Sequence, residues 1–212
     1  MGNVLKVECI FDKTKGEKKG EFNWTGNLKT VTKESLIIAK INAYRFLSKE
    51  QIEKMNEKNV HIHFMNGSSP KDGPSAGISF CTAFLSLAIG KSIPATWSMT
   101  GELSLNGDVS KIGKLDYIYK YELIKLGGVN SKIIASKSLN INVIILPFLN
   151  LEEVLDLPKK LLDGITLYFV KEYKEIFRLV FENDPFGICV IKNGDLKMEG
   201  EQRSASTQAS NN

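Results

Sequence analysis

Histidine and cysteine are scarce in this chain: 212 residues hold two histidines and three cysteines. Both histidines, His61 and His63, fall in one short segment, so a nucleophile later in the chain has no histidine after it to act as base. Cys9, Cys81 and Cys189 are odd in number, widely spaced and form no CxxC pair. That excludes a disulfide framework or a thiolate zinc cluster and points to reduced thiols. No run of about 18 apolar residues exists, so no membrane-spanning helix is expected. The charge imbalance is also small, 28 basic against 24 acidic residues for a net +4. Such a balance does not support a dedicated nucleic-acid surface, which usually carries a clear basic excess.

What is present is an ordinary globular composition, 42% apolar and 25% charged. It is long enough to bury a core without metal or disulfide support. Segments near Val4–Ile10, Glu21–Trp24, His61–Met65, Trp97–Thr100, Leu103–Leu105, Asn142–Leu146 and Ile165–Val170 read as strands. Between them, helices are expected over Leu28–Leu47, Ser75–Ile89 with Gly90 as its stop, Leu115 to Gly127-Gly128, Leu151–Leu155 and Glu172–Phe181. Val31, Ile37, Ile38, Ile41, Tyr44 and Leu47 would form the apolar face of the first helix. Asn106-Gly107 is a strong hairpin signal. Strands interleaved with helices make this an α+β, or mixed α/β, domain. It is expected to occupy residues 1–192, with a polar, disordered tail over 193–212.

The chemistry concentrates in Pro70-Lys71-Asp72-Gly73-Pro74-Ser75-Ala76-Gly77. A serine sits where a stiffened loop turns into an apolar helix, whose first N–H groups are unpaired and partly positive. A hydroxyl there can attack a carbonyl while nearby amides stabilise the oxyanion; on the plainer reading it is only a helix cap. Gly73-x-Ser75-x-Gly77 also fits the nucleophile elbow of α/β-hydrolases, but that arrangement needs a histidine downstream and none exists. A serine without histidine calls for another base, and lysine is the standing alternative. Its amine must then be shifted down by burial.

The same segment resembles the active-site signature of the Lon proteases, which use a Ser-Lys dyad. Thr25-Gly26-Asn27-Leu28 with Glu34-Ser35, His61-Ile62-His63, Met99-Thr100-Gly101-Glu102, then Leu105, Gly107, Val109 and Ile112-Gly113, and Val143 to Pro147 extend the resemblance over roughly residues 4 to 182. It implies a mixed-sheet Lon-protease-domain-like fold and a serine endopeptidase with Ser75 as nucleophile. By resemblance the base opens the helix read as ending at Gly127-Gly128. Counting back gives Lys120, with Leu123 and Ile124 on its face, and Lys114 as rival. Residues Val129–Ile141 then read as an insertion. Thr100 would hydrogen-bond the catalytic amine, Asp72, in the loop before the serine, would gate the site, and Gly73 and Pro74 would shape the oxyanion region. His63 and His61 share one strand face and are expected to make structural hydrogen bonds rather than bind metal. Glu102 has either an acid–base or a contact role.

No cofactor or metal is expected in this domain: Gly90-Lys91-Ser92 has Leu85 where a phosphate loop needs glycine. The resemblance implies an ATP- and Mg-using unfolding motor elsewhere in the intact protein, a homo-hexameric ring and unfolded polypeptide as substrate. The first strands of the domain look cut short at Met1. The alternative is an inactive, protease-derived ring or scaffold module, for which the displaced lysine register is the support. A Lys/Asn/Ile-rich composition leans towards a mitochondrial-matrix origin over a bacterial cytoplasm.

Overall fold

The computed structural model describes residues 4–14, 19–65, 67–113 and 128–200. In chain order these form β1 (Val7–Asp12), β2 (Phe22–Thr25), α1 (Thr30–Tyr44), α2 (Lys49–Glu57), β3 (Asn59–Phe64) and α3 (Gly77–Ile89). Next come β4 (Trp97–Met99), β5 (Glu102–Leu103), β6 (Val109–Ser110), α4 (Val129–Ser138) and β7 (Val143–Pro147). The chain continues through α5 (Leu151–Leu155), α6 (Lys159–Leu162), β8 (Thr166–Val170), α7 (Tyr173–Phe177), β9 (Cys189–Lys192) and β10 (Asp195–Met198). The architecture is α+β.

Two sheets divide the core. In the first, β3 runs between β1, antiparallel to it, and β2, parallel to it. Val60, Ile62 and Phe64 are buried while His61 and His63 alternate with them on the other face, as a two-residue period requires. The Phe64 ring meets Phe80 edge-on at 4.7 Å, which seats this sheet on α3. The second sheet has the order β10-β9-β8-β7-β4. Its β4, β7 and β8 are parallel, and β9 and β10 extend it antiparallel. Strand β7 reads Val-Ile-Ile-Leu-Pro, a continuous apolar run suited to a strand covered on both faces. The helix α3 is almost wholly apolar and lies in the first core, with Phe80, Phe84 and Leu85 fully enclosed. Each such side chain contributes about 1.5–3 kcal/mol of burial.

Several expectations are corrected here. The buried face of α1 is Thr32, Ser35, Leu36, Ala39, Asn42 and Ala43, while Val31, Ile37 and Ile41 point outward. Small and polar residues win that face because α1 lies close against α3 and the serine loop. A helix, α2, fills the stretch between the first helix and the His61 strand, where no element is expected; Ser48 and Gln51 form a capping box at its start. Residues 193–200 are not part of a disordered tail. Asn193 and Gly194 both take positive φ and turn the chain into β10, which pairs with β9. All four residues of β10 are exposed, as on an edge strand. Finally, Gly128 is the N-cap of α4, and the segment 129–141, expected as an insertion, supplies α4 itself; the helix expected from Leu115 lies outside the described residues.

Candidate active site

The loop carrying Ser75 is held from three sides. Gly26 and Asn27 both take positive φ, and a Cβ on Gly26 would lie 2.5 Å from Phe64 Cβ, so the chain must reverse there without a side chain. The reversal brings Asn27 to Lys29 alongside Lys71: Lys71 N–H donates to the Asn27 carbonyl and Lys29 N–H to the Lys71 carbonyl, each at 2.9 Å. From α1, Thr32 Oγ1 shares its one proton between the carbonyls of Lys71 (3.1 Å) and Gly73 (3.2 Å), and Ser35 Oγ donates to that of Pro74 (3.3 Å). Gly77, buried at the start of α3, faces Leu103; a Cβ there would come within 2.9 Å of the Leu103 backbone nitrogen. These contacts explain why the motif needs small residues after the serine.

From the third side comes the segment after β4. Gly101 N–H donates to the Ser75 carbonyl at 2.7 Å, and Thr100 Oγ1 donates to that same oxygen at 3.0 Å. Gly101 in turn accepts the Ile78 N–H at 3.2 Å. A Cβ on Gly101 would lie 2.8 Å from Val109 Cγ1, so only glycine lets this strand end lie against α3.

The amine facing this arrangement is Lys132, in the first turns of α4. Its Nζ lies 2.6 Å from Thr100 Oγ1 and 3.5 Å from Ser75 Oγ. Burial pushes the amine down from its ordinary value to about 8, because the ammonium loses water that the apolar surroundings do not replace. Thr100 has one proton, and it is committed to the Ser75 carbonyl, so towards Lys132 its oxygen accepts. A neutral amine that gives one N–H to Thr100 can turn its lone pair to the Ser75 hydroxyl.

Lys132 was not among the residues the sequence singled out. Lys120, expected as the base, and Lys114, its rival, lie outside the described residues. Thr100 touches both Ser75 and the amine, and Gly73 and Pro74 belong to the same loop; Gly73 has φ +106°. Asp72 is exposed and accepts its neighbour Gly73 N–H at 3.0 Å. Glu102 is exposed on β5, paired with Ser110. His61 Nε2 and His63 Nδ1 both meet Thr25 Oγ1, at 3.0 and 2.7 Å. Among the described residues no cluster of three His, Cys, Asp or Glu side chains is suited to a metal ion. Gly90 is the left-handed cap of α3, and Lys91 Nζ donates to the Phe181 carbonyl at 2.8 Å. That segment closes α3.

Residues 1–183 match the family described as the Lon protease (S16) C-terminal proteolytic domain. The chain belongs to that family. It is 37% identical over 187 residues to the mitochondrial Lon protease homolog of Rattus norvegicus, covering 85% of this chain and 18% of that protein. It is 38% identical over 186 residues to the chloroplastic/mitochondrial Lon protease homolog 4 of Arabidopsis thaliana, covering 86% of this chain and 18% of the relative. Lon protease 2 of Borreliella burgdorferi is 35% identical over 176 residues, with 83% and 20% covered. The chain thus spans about a fifth of the length of these relatives, which carry both organellar and bacterial names.

Proposed function

We propose that this Lon-family domain is a serine endopeptidase in which Ser75 attacks the peptide carbonyl and Lys132 is the base. One observation carries the reading: Lys132 Nζ stands 3.5 Å from Ser75 Oγ while bonded at 2.6 Å to Thr100. The Ser75–Lys132 separation is long for a hydrogen bond, as is common before substrate arrives.

Neutral Lys132 takes the Ser75 hydroxyl proton as Oγ bonds to the scissile carbonyl carbon. The carbonyl oxygen becomes an oxyanion, stabilised by backbone N–H groups of the turn into α3. No backbone carbonyl among the described residues takes the Ser75 or Ala76 amide, so these two are the donors assigned here. The Lys132 ammonium then gives its proton to the leaving amine as the C–N bond breaks, forming an acyl-enzyme on Ser75. Water, deprotonated by the restored amine, releases the acid and returns the proton to Ser75. Thr100 keeps the amine oriented throughout.

The substrate class proposed is extended, unfolded polypeptide, delivered by an ATP-driven motor in the remainder of a longer protein and within a hexameric ring. The relatives' names, which call them proteases, support a polypeptide substrate. A mitochondrial matrix setting is the favoured one, with a bacterial cytoplasm as the alternative. The alternative reading, an inactive scaffold, drew on a displaced lysine register, and the placement of Lys132 beside Ser75 favours the peptidase over it. The test is cleavage of an unstructured reporter peptide by the chain and by Ser75→Ala. Turnover lost in Ser75→Ala supports the peptidase; equal turnover in both, or none in the parent together with no acylation at Ser75, contradicts it.

A further inference from the structure

The α4 helix begins without a side-chain cap of its own, since Gly128 holds the N-cap position. The cap is supplied from α5. Glu153 Oε1 accepts the Val129 N–H at 3.2 Å, and a Cβ on Gly128 would lie 3.0 Å from that oxygen. The second carboxylate oxygen accepts from Asn150 Nδ2 at 3.2 Å. Asn150 is fully buried and pairs twice with one backbone residue: Nδ2 donates to the Ile112 carbonyl at 2.8 Å, and Oδ1 accepts the Ile112 N–H at 3.0 Å. One buried amide and one carboxylate therefore bind Ile112, just past β6, to the first residue of α4.

We propose that Asn150 and Glu153 are positioning residues for the reaction at Ser75, fixing the start of α4 and through it the placement of the Lys132 amine. This rests on the Ser75–Lys132 reading above. Lys132 follows Val129 by three residues, one turn of helix, so a displaced or frayed start moves its Nζ directly. There is little slack to absorb such a movement. The Ser75–Lys132 separation of 3.5 Å already stands at the edge of hydrogen-bonding range. A misplacement of about 1 Å in a reacting group can cost about a hundredfold in rate. The carboxylate also complements the positive end of α4, which holds that end in place as a charged cap does elsewhere. A purely architectural role for the pair would lower melting temperature and leave the chemistry of the amine unchanged.

The experiment follows covalent modification of Ser75 by a fluorophosphonate as a function of pH, with thermal melting alongside. It compares the chain, Glu153→Leu, Glu153→Gln and Lys132→Met. Glu153→Leu is expected to slow modification about tenfold or more at pH 8. It should also move the midpoint of the pH profile upward, because an amine no longer held in place regains water. Glu153→Gln keeps an oxygen for the Val129 N–H but sets its amide against that of Asn150, so its rate and midpoint fall between. If Glu153→Leu does not fold, the Gln variant carries the test. Parental rate and midpoint in the folded variants, with only melting lowered, overturn the positioning role. Parental modification in Lys132→Met instead overturns the Ser75–Lys132 reading itself, whatever the Glu153 variants do.

Discussion

Thr100 accepts a 2.6 Å hydrogen bond from Lys132 while its own proton goes to the Ser75 carbonyl. That direction is forced, because a hydroxyl has one proton to give. The threonine thereby links the amine, the serine backbone and the end of β4 in one short chain of bonds. Thr100→Val, nearly equal in shape, removes both bonds. We expect peptide turnover to fall about ten- to a hundredfold. Melting should report a loss of about 1–2 kcal/mol. Thr100→Ser, which restores the hydroxyl, should recover most of the rate.

The pH dependence follows from the buried amine. Lys132 must be neutral to accept the serine proton, and its value is pushed down to about 8. Turnover should therefore rise with pH through about 8 and fall about tenfold per unit well below it. A pH–rate profile of the chain checks this directly.

The same shift has a cost in stability, and its sign is fixed. Between about 8 and the unfolded value near 10.4 the unfolded chain binds the proton that the folded one has released, so stability rises with pH across that window. Below about 8 the buried ammonium is a standing penalty. Lys132→Met, close in shape and uncharged, should then raise stability at pH 7 by about 1 kcal/mol or more. Denaturant melts of the two proteins at pH 7 and pH 10 provide the measurement, with the gap between them narrowing at the higher pH.

Gly101 and Gly77 let β5 and the serine turn meet. Gly101→Ala would drive a Cβ to 2.8 Å from Val109 Cγ1 and 3.2 Å from Ile78 Cδ1. The expected destabilisation is about 1–3 kcal/mol, with turnover lowered because Gly101 N–H holds the Ser75 carbonyl. Gly77→Ala meets a backbone nitrogen that cannot move aside, and its melting temperature should drop further.

The matched family region stops at residue 183, yet the core does not. Ile188, Val190 and Ile191 are buried at about 1% exposure or less, and β9 covers the edge of β8. Ile191→Ala should cost about 2–4 kcal/mol in equilibrium unfolding.

How much of this was legible in the sequence depends on the kind of signal. Ser75 stood out because a polar, glycine- and proline-rich loop runs straight into an apolar helix. The strand β7 and the Asn106-Gly107 hairpin were legible for equally local reasons. Lys132 was not. Glycine is commoner just after a helix than at its start, so Gly127-Gly128 read as a stop when Gly128 is a start capped from a distance by Glu153. A clue was nevertheless available: Thr100 follows directly on β4, and β7, parallel to β4, needs a crossover before it, so the helix preceding β7 was a natural carrier of the base. The edge strand β10 was missed because it opens a largely polar stretch of sequence, although Asn193-Gly194 is a hairpin turn by type. The face of α1 was misread because contact with α3 and the serine loop selects small residues there, leaving isoleucines outside.

The central claim is that the Lys132 amine activates Ser75. The most direct measurement is the rate of fluorophosphonate modification of Ser75 against pH in the parent, Lys132→Met and Lys120→Met. The account predicts a parental rate rising through a midpoint near 8, abolished in Lys132→Met and retained in Lys120→Met. Parental modification in Lys132→Met, with loss in Lys120→Met, would contradict it.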